Sequence, residues 1–94
     1  DKVLKMDPQF AEALINRGQS YFNYKKLNKA KNDFIQALNF KKNLDHIHFN
    51  LGYIYYLQGE DSKAYKHFKT YLKIAPNGKK TFQVKTILKM LSIK

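Results

Sequence analysis

Two segments that lie 34 residues apart carry the same pattern: residues 14–38 read LINRGQSYFNYKKLNKAKNDFIQAL and residues 48–72 read HFNLGYIYYLQGEDSKAYKHFKTYL. At this offset they share an asparagine, a glycine, a tyrosine, a lysine, an alanine, a phenylalanine and a leucine. With Asn43 and Asn77, eight of 34 positions are identical, against roughly three expected by chance. The sequence therefore contains an internal repeat, and one structural unit should recur along the chain.

Within each period the apolar residues recur with helical spacing. Leu14, Gly18 and Tyr21 form one stripe, and a second stripe runs through Ala30 and Phe34. The spacing predicts helices over residues 8–23, 28–40, 44–57, 62–74 and 79–91, after a helical end near Met6. Asn28 and Ser62 are the predicted N-caps, and Asn43 is predicted to cap the end of the second helix.

Small and aromatic residues occupy the repeated positions, and they should set the distance between paired helices. The glycines let the second helix of a pair approach the first closely, alanines face them, and aromatic rings fill the space beside the contact. A proline ends the second unit because it cannot continue a helix. The predicted packing residues are Gly18, Tyr21, Ala30, Phe34, Gly52, Tyr55, Ala64, Phe68 and Pro76.

This pattern of glycine, tyrosine, alanine, phenylalanine and proline resembles the tetratricopeptide repeat. The resemblance implies an all-α fold, a right-handed α-solenoid of stacked antiparallel helix pairs. It divides the chain into the end of a preceding repeat (1–10), two full repeats (11–44 and 45–78) and a final helix (79–94). Three positions depart from the family: Leu14 and His48 replace its tryptophan, and Lys42 replaces the first proline.

The last helix does not keep the phase of the repeat. In the inherited phase its core positions would be mostly polar, whereas its own apolar stripe runs through Val84, Ile87, Leu88 and Leu91. This stripe is shifted by about two residues, as expected if residues 77–80 lengthen the preceding turn. We interpret the segment as a capping helix, with the start of a further repeat as the alternative.

Composition excludes several classes of function. The 94 residues include no cysteine, and charged residues interrupt every apolar run before the roughly 18 residues that a transmembrane helix needs. No phosphate-binding loop or catalytic triad is present, so we expect neither an enzyme nor a bound cofactor. His46 and His48 are two residues apart on a helix and cannot chelate one metal ion, so we interpret His46 as a polar groove or surface residue and His48 as a packing residue.

The net charge of +11 invites nucleic acid as a partner, but every one of the 18 basic residues except Arg17 is lysine. Recognition of bases and phosphates relies on the guanidinium fork, so this bias argues against nucleic acid. A lysine-rich surface that binds an acidic partner or nucleic acid remains a further alternative. The excess of lysine is equally well explained by codon bias, in which case it has no function.

The resemblance implies a protein partner, because the family binds peptides in a concave groove lined by the first helix of each pair. An extended or helical segment of a protein would suit amides and aromatic rings. The first helices place these residues in the groove: Glu12, Ile15, Asn16, Gln19, Phe22 and Asn23 in the first repeat, and His46, Phe49, Asn50, Tyr53 and Tyr56 in the second, with Lys80 beyond. For Phe22 and Tyr56, packing between neighbouring helix pairs is as good an interpretation as contact with a ligand.

Two recognition modes of the family bear on these residues. Asn16 and Asn50 occupy equivalent positions and would form an amide ladder along a bound peptide. The carboxylate clamp, which grips acidic chain termini, is only partly matched: Asn50 and Lys80 fit it, but Ile15, Gln19 and Val84 replace its other polar residues. The alternative to peptide binding is a structural scaffold, or self-assembly through exposed Val3, Leu4 and Met6.

Overall fold

The computed structural model describes the backbone of residues 8–93 and the side chains of residues 10–92. The predicted helical end near Met6, and the self-assembly edge at Val3, Leu4 and Met6, lie outside the described residues. The helices are α1 Pro8–Asn23, α2 Leu27–Phe40, α3 Asp45–Leu57, α4 Asp61–Ile74 and α5 Thr81–Ile93. None of these described helices combines the length and the apolar run that a bilayer crossing requires. Contacts divide the chain after Leu44 into two compact units.

Each unit contains one antiparallel helix pair. In the first, Phe10 near the start of α1 packs on Phe40 at the end of α2, with ring centroids 5.9 Å apart. Lys29, near the start of α2, places its Nζ 5.6 Å from the centroid of the Tyr21 ring near the end of α1. In the second unit Phe49 near the start of α3 packs on Tyr71 near the end of α4, with ring centroids 6.1 Å apart. Contacts that join the start of one helix to the end of the next define antiparallel pairs.

The repeated glycines lie against the repeated phenylalanines. A Cβ atom added at Gly18 would stand 2.8 Å from Cε1 of Phe34, and one added at Gly52 would stand 2.7 Å from Cδ1 of Phe68. Phe34 and Phe68 are fully buried. The predicted close approach is therefore present, but the ring, not the alanine, is the nearest group to each glycine. Ala30 and Ala64 are also fully buried.

The helix ends correct the predicted caps. Asn28 and Ser62 lie inside α2 and α4, which begin one residue earlier than predicted, at Leu27 and Asp61. Lys26 and Glu60 precede these helices without a capping side chain, and Lys41, not Asn43, caps α2 at its end. Hydrogen bonds between backbone groups, not side-chain caps, close the short loops before α2 and α4. Lys26 N–H donates to Tyr21 O at 2.8 Å, and Glu60 N–H donates to Tyr55 O at 2.9 Å.

The turn before α5 is longer than a strict period allows. α3 begins at Asp45, so a period of 34 would start α5 at residue 79, yet it begins at Thr81. Thr81 Oγ1 donates to Ala75 O at 2.9 Å and closes the turn. As predicted from the shifted stripe, Val84, Ile87 and Leu91 are buried, and Leu88 is half-buried. The turn therefore sets which side of α5 packs.

Candidate functional site

The predicted groove residues of the first unit form the α1 face: Glu12, Ile15, Asn16, Gln19, Phe22 and Asn23. Its amide and acidic residues are exposed, and Ile15 and Phe22 are half-buried. Gln19 Nε2 donates to Asn23 Oδ1 at 3.4 Å, one helical turn further along. The spacing of three and four residues puts these groups on one side of α1. The face is polar with two apolar side chains, and it offers amide donors and acceptors to a ligand backbone.

The α3 face comprises His46, Phe49, Asn50, Tyr53 and Tyr56, and it is dominated by aromatic rings. Phe49 and Tyr53 are stacked with centroids 6.1 Å apart and planes 8° apart. Tyr53 and Tyr56 continue the row at 6.4 Å. Both tyrosines are half-buried, so each ring keeps one part accessible. The three rings form a row because they are spaced four and three residues apart, which is about one turn of the helix.

Phe49 forms the floor of this row and is 8% exposed. Its ring packs on Phe68 and against the edge of Tyr71, both at 6.1 Å between centroids. Phe49 therefore lies beneath the accessible part of the α3 face, because two aromatic residues of α4 bury its ring. A ligand on the α3 face would meet Tyr53 and Tyr56 first.

Lys80 is held over this floor by the turn before α5. Its Nζ lies 5.2 Å from the centroid of the Phe49 ring, within the range of a cation–π interaction. Its backbone N–H donates to the hydroxyl of Tyr71 at 2.9 Å. Tyr71 is 2% exposed, and a Cβ added at Gly78 would stand 2.5 Å from its hydroxyl oxygen. Tyr71 and Gly78 thus position Lys80 beside the aromatic rings of the α3 face.

Val84, which takes the place of the arginine of a carboxylate clamp, is fully buried. It packs as a core residue of α5 and offers nothing to a ligand. The remaining clamp positions are the exposed Gln19 and Lys80 and the half-buried Ile15 and Asn50. The structure therefore adds no polar side chain to the partial match with the clamp that the sequence shows.

An ion pair that the repeat pattern did not predict joins the exposed Arg17 of α1 to the buried Asp33 of α2. Arg17 Nε and Nη2 donate to the two carboxylate oxygens of Asp33, both at 2.8 Å. Asp33 is 3% exposed, and its carboxylate raises the pKa of Arg17 above its usual value, first through the hydrogen bonds and then through charge. Such two-pronged pairs fix the relative position of both partners. The available signal in the sequence was an aspartate next to the packing residue Phe34, together with Arg17, the single arginine of the chain.

The structure also joins two histidines in the second unit. His48 Nδ1 and His67 Nδ1 are 3.1 Å apart, and the His67 ring stacks on Tyr55 with centroids 5.6 Å apart. His48 is buried, as its predicted packing role requires, while His46 lies beside Asp45 at the exposed start of α3. Within residues 8–93 no three His, Cys, Asp or Glu side chains come together as metal ligands.

These antiparallel helix pairs, repeated with a glycine at each crossing, define a helical-repeat protein. Models of the tetratricopeptide repeat match residues 11–44 and residues 46–77, more than two thirds of the chain. The chain belongs to the tetratricopeptide repeat family, a class of protein-interaction modules. Its fold class is the all-α tetratricopeptide solenoid.

A curated relative and a solved structure support the assignment. The chain is similar to human tetratricopeptide repeat protein 6, with 27% identity over 89 residues that cover 92% of this chain and 17% of that protein. It is also similar to the first tetratricopeptide domain of Spaghetti (RPAP3) bound to the HSP90 peptide SRMEEVD, with a TM-score of 0.79 and 23% identity. That likeness covers 92% of this chain and 66% of the solved chain.

Proposed function

We propose that each repeat of this chain is a recognition module for a segment of a partner protein, the first repeat through the α1 face and the second through the α3 face, without catalytic chemistry of its own. The observation that carries the proposal is the row of Phe49, Tyr53 and Tyr56 beside Lys80. Accessible tyrosine rings give large contact area at low entropic cost, and they recur at the energetic centres of protein interfaces.

The kind of ligand follows from the chemistry of the two faces. Asn16 and Asn50 can donate to and accept from a peptide backbone, and the tyrosine rings suit an apolar or aromatic side chain. Lys80 favours an acidic group near the ring row. Spaghetti, the solved neighbour, binds an HSP90 peptide, which supports a peptide as the ligand class. Because Val84 is buried and Ile15 carries no charge, we infer that this chain does not grip a terminal carboxylate through a full clamp.

The proposal can be tested without knowing the natural partner. Peptides selected from a random phage-displayed library against this chain should perturb the amide signals of α1 and α3 in NMR titrations. The double variant Tyr53→Ser/Lys80→Gln should bind the selected peptides about tenfold more weakly, because it removes one aromatic anchor and the adjacent cation. A second variant, Asn16→Ala/Asn50→Ala, tests the amide ladder in the same assay.

The matched control is Tyr24→Ser/Lys29→Gln, which removes an exposed tyrosine and an exposed lysine from the first unit. It should leave affinity within about twofold of the parent, since neither residue belongs to the α1 or α3 face. Equal loss in both double variants, or signal changes confined to other helices, would refute recognition through these faces.

Self-assembly is the second candidate, and the exposed side of α5 favours it. Phe82 is 85% exposed and Met90 is 48% exposed, although both are apolar. A scaffold whose repeats stack on one another would cover such residues. If this is the function, sedimentation should show association that Phe82→Ser abolishes, and the library should yield no peptide that depends on Tyr53.

A further inference from the structure

The charge of the chain is concentrated in its last third. All seven acidic residues stand at or before Asp61, whereas residues 62–94 contain nine lysines and no acidic residue. Of these, Lys63, Lys66, Lys69, Lys73, Lys79, Lys80, Lys85 and Lys89 are exposed. Helices α4 and α5 therefore carry a surface whose lysines have almost no local carboxylates to neutralise them.

Three of these lysines surround a depression between α4 and α5. The depression has a volume of about 320 Å³ and is lined by Tyr65, Lys69, Lys85, Leu88, Lys89 and Ser92. We call it the basic depression. Lys69 Nζ lies 5.9 Å from the centroid of the Tyr65 ring, and that ring is 45% exposed. Its lining thus combines three lysines with the apolar side chains of Tyr65 and Leu88.

The basic depression is separate from the α3 face. α4 buries Ala64 and Phe68, and Phe68 packs beneath Phe49 of α3. Tyr65 and Lys69 each follow one of these residues, so the helix turns them about 100° away from the packed side. No residue of α3 lines the depression. A ligand there would use side chains that the proposed peptide faces do not.

We propose that the basic depression is a second docking site, which binds a carboxylate-rich segment of a partner protein. Charge complementarity carries the proposal: three lysines and no acidic group line the depression. Each ammonium group can donate to a carboxylate as a charge-assisted hydrogen bond. Tyr65 and Leu88 would take one apolar side chain between the acidic ones. The preferred ligand is a short acidic segment that contains a leucine or similar residue.

Other anionic partners fit this surface less well. A nucleic acid presents a continuous phosphate backbone, which guanidinium groups bind in two-pronged fashion, and the lining has no arginine. Lys69 already lies over the Tyr65 ring, which limits base stacking on that ring. A bilayer presents its anionic headgroups in a plane and offers no short apolar side chain for Tyr65 and Leu88. The shape and the residue types together select a peptide.

The test uses the full chain and a fluorescein-labelled peptide with a leucine between two runs of three glutamates, measured by fluorescence anisotropy. Lys69→Gln/Lys89→Gln should weaken binding about tenfold, roughly threefold for each lost charge-assisted contact. The matched control is Lys29→Gln/Lys41→Gln, which removes the same charge from exposed positions of the first unit. It should change affinity by less than about twofold. Circular dichroism of both variants confirms that they are folded.

Two further measurements decide between this proposal and its competitors. Tyr53→Ser, which alters the α3 face, should leave the acidic peptide bound as before, so failure of the peptide-face proposal and failure of this one are separable. Replacing the leucine of the probe by serine should weaken binding. Equal losses in both lysine double variants would overturn the proposal in favour of general electrostatic attraction. Stronger, Lys69-dependent binding of single-stranded DNA or anionic vesicles would also overturn it.

Discussion

The two repeats place different chemistry at the same three positions. In the first, Leu14 is apolar and Arg17 pairs with the buried Asp33. In the second, 34 residues on, the corresponding residues are His48, Leu51 and His67, and the two histidines bond to each other. The helix pairs themselves keep the same glycine–phenylalanine crossing. The same glycine–phenylalanine crossing therefore has an arginine–aspartate pair beside it in the first repeat and a histidine pair beside it in the second.

The part that the two repeats share, the glycine–phenylalanine crossing, is the part that carries the fold. The crossing depends on shape, because a phenylalanine ring lies on a glycine in both units. The polar pair depends on local complementarity, and the three positions that determine it differ together between the two repeats. The Nδ1 atoms of His48 and His67 are 3.1 Å apart, whereas their ring centroids are 5.3 Å apart. The difference between the two distances is about two ring radii, and one Nδ1–H donates to the other Nδ1. The two nitrogens therefore point at each other.

Adding a methyl group at either glycine tests whether the crossings are equivalent. Gly18→Ala and Gly52→Ala should each lower the free energy of unfolding by about 2 kcal/mol, because the new Cβ would overlap the ring. Better helix propensity offsets only part of this. The loss should be larger at Gly52, since Phe49 packs on Phe68 and hinders its retreat. Urea unfolding followed by circular dichroism measures both, and a larger loss at Gly18 would contradict this account.

The ion pair of the first repeat should matter next. Asp33→Ala removes both acceptors of Arg17 and should cost about 1–2 kcal/mol of unfolding free energy, because the carboxylate is buried and fully hydrogen-bonded. The control Asp45→Ala removes a partly exposed acidic residue at the start of α3 and should cost less. An equal effect of the two substitutions would mean that Asp33 acts only through net charge.

The sequence predicts the helices better than the contacts between them. The helix ends fall within two residues of prediction because the repeated glycines, alanines and phenylalanines mark the packed stripes. Asn28 and Ser62 misled the placement of caps because hydrogen bonds of the backbone, not of side chains, close those loops. The pairs of Asp33 and His67 escaped notice for another reason. Their partners lie 16 and 19 residues away, and identity at a fixed period cannot reveal positions where the repeats differ.

Tyr71 occupies the position of Ala37 and gives the second repeat a contact that the first lacks. Tyr71→Phe deletes the acceptor of the Lys80 N–H and should lower the free energy of unfolding by about 1 kcal/mol. It should also weaken peptides that depend on Lys80, because the turn would hold that residue less firmly. The control Tyr65→Phe removes an exposed hydroxyl and should be neutral. If neither substitution changes the free energy of unfolding or peptide binding, the Tyr71 hydroxyl does not position Lys80 beside the α3 face.

The histidine pair should make the second repeat sensitive to pH. Burial lowers the pKa of His67 to about 4, with smaller contributions from His48 and Lys66. The unfolded chain, with a histidine pKa near 6.5, binds the proton first as pH falls. Stability is therefore complete above about pH 6.5 and declines towards about pH 4. We expect His67 to account for about 1 kcal/mol of this loss, since the ring is half-buried and solvent screens its charge.

Paired variants isolate this contribution from that of the carboxylates. His67→Asn should flatten the dependence of unfolding free energy on pH in this window. His46→Asn, at the exposed start of α3, should leave it unchanged. If both variants keep the slope of the parent, the titration of His67 does not control the stability of the second repeat.

The smallest difference between the repeats lies in their loops, where Lys25 corresponds to Gly59. Both adopt left-handed backbone, with φ of 62° and 77°. This conformation costs an L-residue energy that glycine avoids, so Lys25→Gly should stabilise the chain by about 0.5–1 kcal/mol. Gly59→Lys should lose a similar amount, and purely through the backbone, because a Cβ there would meet nothing within 4 Å. Lys25→Ala removes the same charge but keeps the strain, so a gain in that variant would attribute the effect to charge.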